Sequence, residues 1–129
     1  MPVLQPDNPL RLNGDGTTEN FVEFFLSHST GGKLDIDGIF CSTDFLAERI
    51  RKILADLNIR VPEDVQIIGF DGIRQFGTGR LFCSTIIQPV EKLAETCVEL
   101  LLASDRSNTP SLVCLPGIYA PGGTTLEEY

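Results

Sequence analysis

Basic residues are scarce in this chain. Ten Lys plus Arg stand against eighteen Asp plus Glu, a formal net charge of −8. Phosphate contacts need a basic face, and these few scattered cations make none, so the chain by itself is not expected to bind nucleic acid. Long apolar runs are missing too, which argues against a membrane-spanning helix. Residues 1–16 show no basic start followed by an apolar run, so no secretory leader is expected and a cytoplasmic location is. The four cysteines (Cys41, Cys83, Cys97, Cys114) form no C-x-x-C pair, which argues against metal ligation and a redox dithiol. Each lies in an apolar stretch and reads as a reduced, buried thiol. The one histidine, His28, leaves a catalytic triad or a metal centre little to build on and reads as a residue of a helix's last turn. Neither a metal nor a cofactor is expected.

What is present suffices for a folded domain. The chain has 129 residues, 42% of them hydrophobic. A domain of that size buries roughly two-thirds of its unfolded surface. Residues 1–16 hold three prolines and read as an extended lead-in segment, with a short strand at Leu10–Leu12 and a turn at Asn13-Gly14-Asp15-Gly16. Thr17 or Thr18 caps a helix carrying Phe21, Phe24, Phe25 and His28 at helical spacing, stopped near Ser29 by Gly31-Gly32. Ile36–Cys41 reads as a buried strand. Ser42-Thr43-Asp44 offers caps for a second helix, whose apolar stripe is Phe45, Leu46, Ile50, Ile53, Leu54 and Leu57 and which Asn58 closes. Val65–Phe70 and Leu81–Ile87 read as two more buried strands. Pro89 opens a third helix through Leu93, Cys97, Leu100 and Leu101. Leu112–Leu115 and Ile118–Ala120 read as short final strands.

Helices alternating with buried strands predict an α/β fold with a doubly wound parallel sheet. Ligands of such sheets bind beyond the carboxyl ends of the strands. Those ends carry Asp15-Gly16, Ser42-Thr43-Asp44, Asp71-Gly72 and Gln88. Such side chains suit a polyhydroxylated ligand, because a carboxylate accepts hydrogen bonds from adjacent hydroxyls. Two other motifs fall away. Asp35-Ile36-Asp37 has the form of a phosphoryl-accepting D-x-D but precedes its strand, at the wrong end of the sheet. Gly31-Gly32-Lys33 lacks the spacing and the Ser or Thr of a phosphate loop.

The run Ile39-Phe40-Cys41-Ser42-Thr43-Asp44, then Val61-Pro62-Glu63-Asp64-Val65 through Gly69-Phe70-Asp71, then Ser84-Thr85-Ile86-Ile87-Gln88-Pro89 and Gly123-Thr124-Thr125, carries a likeness. It resembles the effector-binding core of the lactose/galactose repressor (LacI/GalR) family, from about Asp15 to Thr125. Gly122 stands where that family commonly has Arg, and no aromatic matches at Gly16-Thr17. The resemblance implies a type I periplasmic-binding-protein-like C-terminal lobe, truncated. Residues 17–125 would form that lobe, with about 89–115 crossing toward a second lobe that the chain lacks, as it lacks a helix-turn-helix. It implies a transcription regulator's sensor, not an enzyme, for a small effector, usually a sugar. Asp71 would be the main hydroxyl-binding carboxylate, Thr43 a polar contact, Gln88 a crossover residue, and Val90 and Leu93 cleft-lining. Asp44 and Ser42 would be structural, as helix cap or brace. DNA would be reached only through the missing N-terminal domain. The helix from Pro89 to about Ala103 would lack its lobe, so a homodimer is expected, formed by exchange of this element or by its apolar face. Two other readings are a periplasmic sugar-binding receptor and an Asp-dependent hydrolase on a similar sheet; the latter has no acid–base pair or phosphate cradle to support it.

Overall fold

The computed structural model describes residues 17–103 and 112–126. The strand expected at Leu10–Leu12 and the turn at residues 13–16 lie outside them.

Helix α1 (Thr18–Ser27) starts on Thr17, whose hydroxyl accepts from the Asn20 amide, and buries Phe21 and Phe25. Phe24 packs edge-on against Phe25 with ring centres 5.4 Å apart, and His28 stacks on Phe24 at the helix end as expected. The glycines that stop α1 form a feature the sequence reading did not foresee. Strands β1 (Ser29–Thr30) and β2 (Lys33–Leu34) pair antiparallel around Gly31-Gly32. Both glycines have positive φ, 61° and 80°. A two-residue hairpin turn of this hand requires that, and glycine meets it without steric cost.

Strand β3 (Gly38–Phe40) leads into α2 (Asp44–Asp56). It is an edge strand with β4 as its one neighbour, and so it is not the buried strand expected; Phe40 is 67% exposed. The inward line of α2 is Asp44, Ala47, Ile50, Ile53 and Leu54. Phe45 was expected in the stripe but is 62% exposed. The cause is helical phase: once Asp44 faces inward, Phe45 sits about 100° round the axis. Asn58 follows the helix with φ 59°, the left-handed conformation expected of it.

Strands β4 (Gln66–Asp71) and β5 (Ser84–Ile87) continue the sheet. The order is β3-β4-β5-β6, with β3, β4 and β5 parallel. The last strand, β6 (Ile118–Ala120), is where it was expected but runs antiparallel to β5. Residues 112–115 form no strand. They are followed by Pro116, which has no N–H to give a ladder, and the open edge of β5 is taken by β6. Helix α3 (Val90–Ala103) follows Pro89 as expected and buries none of its side chains. None of the described helices is long and apolar enough to cross a membrane.

The core lies between α1, α2 and the sheet, with Phe21, Phe25, Leu54, Val65 and Ile67 almost fully buried. The closing Gly123-Thr124-Thr125 stitches β4 to β5. The Thr124 hydroxyl donates to the Ile67 carbonyl at 2.7 Å and accepts from the Ser84 amide at 2.8 Å. Just before it, a Cβ on Gly122 would fall inside the Cys83–Ser84 peptide. The position thus has no room for any side chain, which is the physical counterpart of the Gly found there. Gly122→Arg is therefore expected to cost about 2–3 kcal/mol, because backbone must move to admit it. Urea denaturation checks this; an unchanged midpoint would contradict it.

The cysteines divide in two, against the expectation that all four are buried. Cys41 and Cys83 are buried; Cys97 and Cys114 are exposed. Cys97 is on α3, none of whose side chains is buried. Burial pushes the Cys41 and Cys83 thiols up to about 12, with the negative charge of Asp44 adding to both. Thiolate is the reactive form, so these two are inert at neutral pH. Native protein at pH 8 is expected to release two equivalents with a thiol reagent, and four in denaturant.

Candidate functional site

Because β3, β4 and β5 run parallel, their carboxyl ends share one edge of the sheet. That edge carries Ser42-Thr43-Asp44, Asp71-Gly72 and Gln88. The structure brings two of the predicted ligand residues into contact: Gln88 Nε2 donates to Asp71 Oδ1 at 2.6 Å. Asp71 is half-buried, and its Oδ2 has no hydrogen bond to another described residue. One carboxylate oxygen is thus oriented by the protein and the other is open to a donor.

Asp71 has φ 117°, outside the ordinary range of a non-glycine residue. Such a conformation costs about 1–3 kcal/mol and persists only where neighbours enforce it. Here the register Asp71↔Ile87 fixes the strand end. The next two amides are also held. Gly72 N–H donates to Thr85 Oγ1 at 3.3 Å, and Ile73 N–H to Asp44 Oδ2 at 2.6 Å. Gly72 itself has φ 79°, and a Cβ there would come within 2.7 Å of Ile87.

The Ser42-Thr43-Asp44 cluster splits its work. Thr43 is the N-cap of α2, accepting from the Leu46 amide at 3.2 Å. Ser42 was expected among the caps, but it is exposed and Thr43 alone fills that position. Asp44 is fully buried and braces, though not its own helix. Its Oδ1 accepts from the Thr85 hydroxyl at 2.6 Å and from the Cys83 thiol at 3.6 Å, and its Oδ2 accepts from Ile73. Gly69 makes room for it: a Cβ there would overlap Asp44 Oδ1 and sit 2.7 Å from Cys83 Sγ. Asp44 also occupies the first turn of α2, where the helix dipole favours negative charge.

Val90 and Leu93 lie in the first turn of α3, 64% and 36% exposed, so neither is buried in a cleft wall. The residues that sequence reasoning missed are Thr85 and Cys83. The signal was available: two hydroxyls, Ser84 and Thr85, open an otherwise apolar strand, and a buried hydroxyl needs a partner. Among the described residues no three His, Cys, Asp or Glu side chains gather as they would around a metal ion. The arrangement offers one oriented carboxylate, one amide and a cap hydroxyl, groups whose chemistry suits hydroxyl partners.

The chain matches the family described as a periplasmic binding protein-like domain over residues 14–125. It is 38% identical over 81 residues to the sucrose operon repressor of Streptococcus mutans, covering 62% of this chain and 25% of that one. It is 39% identical over 100 residues to the HTH-type transcriptional regulator MalR of Clostridium butyricum, covering 75% and 29%. Among solved structures it is similar to a LacI family transcriptional regulator from Arthrobacter sp. FB24 in complex with lactose. That match has a TM-score of 0.62 and 26% identity, covering 88% of this chain and 42% of that one. The chain spans about a fifth to a third of the length of the curated relatives it matches. It belongs to the periplasmic binding protein-like domain family, in the form found in LacI/GalR-type transcriptional regulators.

Proposed function

We propose that this chain is the C-terminal lobe, over residues 17–125, of the sugar-sensing core of a cytoplasmic repressor, and that its effector is held at the carboxyl edge of β3, β4 and β5. The observation that carries the reading is the Asp71–Gln88 pair. A half-buried carboxylate is oriented by an amide at 2.6 Å and keeps a free oxygen, on strained backbone, where a parallel sheet binds its ligands. Thr43, Val90 and Leu93 complete the contact set from the neighbouring strand end and from α3. The sugar-operon repressor and the lactose complex among the relatives support a sugar as the effector class.

The module does no chemistry. An effector acts by binding one lobe arrangement better than another, which moves a regulator between DNA-binding states. DNA is contacted by a helix-turn-helix outside these residues, a reading supported by the HTH-type regulators among the relatives and by the net charge of −8. The regulator works as a homodimer. The exposed apolar side chains of α3, Val98, Leu101 and Leu102 among them, support burial against a partner surface. Calorimetric titration with lactose, sucrose and ribose tests the sensing role. A saturable heat with at least one is expected, and no heat with any would overturn it.

A further inference from the structure

We propose that Asp44 and Thr85 are positioning residues of the effector site, setting the Asp71 carboxylate without touching the ligand. This deepens the reading of Asp71 as the effector-binding carboxylate and rests on it. The geometry forms a two-point clamp on one turn. Asp44 Oδ2 takes the Ile73 amide at 2.6 Å, and Thr85 Oγ1 takes the Gly72 amide at 3.3 Å. The clamp's two halves are themselves joined, since the Thr85 hydroxyl donates to Asp44 Oδ1 at 2.6 Å. Both side chains are fully buried, and the residue immediately before the two clamped amides is Asp71. With φ 117°, Asp71 does not hold its conformation by its own preference. Release of either amide lets the strand end relax, and the carboxylate then leaves Gln88 Nε2.

The clamp is specified in the local chemistry. A hydroxyl at residue 85 is needed because it must donate to Asp44 and accept from Gly72 at once, which neither valine nor alanine does. Cys83 fills the third side of the Asp44 carboxyl, donating its thiol hydrogen to Oδ1. Gly69 leaves the space in which Asp44 Oδ1 and Cys83 Sγ meet. Asp44 is thus reached from β5 and from the turn after β4, although it belongs to α2.

The test compares Thr85→Val with Thr85→Ser in the 129-residue chain. The readout is the NMR signature of the Gln88 side-chain amide, taken at a temperature where both variants are folded. The wild-type amide is expected downfield, with a through-hydrogen-bond coupling to the Asp71 carboxyl carbon. Thr85→Val is expected to lose both and to weaken binding of lactose, sucrose or ribose, whichever the wild type binds, by about tenfold, the worth of one charge-assisted hydrogen bond. Thr85→Ser is expected to retain both. If Thr85→Val does not fold, Thr85→Ala removes the hydroxyl without placing a methyl against Asp44. A residue that is structural only would lower the melting temperature of these variants and leave the Gln88 signature in place, which overturns the proposal. Absence of the coupling in the wild type overturns it as well. Failure of the wild type to bind any of the three sugars would instead count against the sensing role, while the Gln88 readout still decides the clamp.

Discussion

Asp71→Ala is expected to weaken sugar binding by a hundredfold or more while the fold stays intact. The carboxylate is half-buried and carries one hydrogen bond to the protein, from Gln88 at 2.6 Å, so its removal leaves a single amide to find another partner. The neighbouring strand register and clamped amides hold this position at a φ of 117°, which alanine tolerates no better, so stability changes little in either direction. For the ligand the loss is large. A hydrogen bond to a charged group is worth about 1.5–3 kcal/mol, and a carboxylate facing adjacent hydroxyls makes up to two. Three kcal/mol or more corresponds to a factor of about 150 or above in the dissociation constant. Calorimetry on the folded variant gives the number, with thermal melting as the control. A variant that binds within fivefold of the wild type would remove Asp71 from the site.

The second large effect is on stability. Asp44→Ala is expected to cost about 3–5 kcal/mol. The Asp44 carboxyl is fully buried and accepts from Ile73 N–H and Thr85 O–H at 2.6 Å each, with Cys83 further out. Its deletion strands two good donors, the buried Thr85 hydroxyl and the part-buried Ile73 amide, at about 1–3 kcal/mol each, and leaves a void beside Gly69. Domains of this size are stable by about 5–15 kcal/mol, so the variant sits near the edge of unfolding. Urea denaturation with an unchanged m-value would measure the loss. A loss below 1 kcal/mol would show that the buried carboxyl is replaceable and that the node around it is not what ties α2 to β4 and β5.

The fold was legible where local chemistry and tertiary demand agree. Val65–Phe70 is a largely apolar run between a proline turn and Asp71-Gly72, and it coincides with the interior strand β4 to within one residue. Asn58 and Thr17 do what their side chains favour anywhere. Legibility failed where a residue's place depends on what lies beside it in space. Phe45 reads as core and Asp44 as a cap or brace of its own helix, and the structure exposes Phe45 and buries Asp44 because Thr85 and Ile73, far away in sequence, supply the donors a buried carboxyl needs. Phe40 reads as buried in a strand and is exposed because β3 lies at the sheet's edge. The direction of β6 was equally invisible, since three residues carry no mark of which way they pair. At the site, strand ends with Asp71 and Gln88 followed from the sheet rule, and their direct bond did not. Ser42-Thr43-Asp44 reads as a choice of caps, with Thr43 also a ligand contact by resemblance, and the structure settles the cap on Thr43 because its hydroxyl meets the Leu46 amide.

The central claim is that a sugar sits on the carboxyl edge of the parallel strands. Chemical-shift mapping of the wild-type chain during titration with lactose, sucrose and ribose tests it most directly. The account predicts saturable shifts concentrated at Asp71–Ile73, Gln88 and Thr43, with the exposed face of α1 unmoved. Shifts centred elsewhere, or none with any of the three sugars, would contradict it.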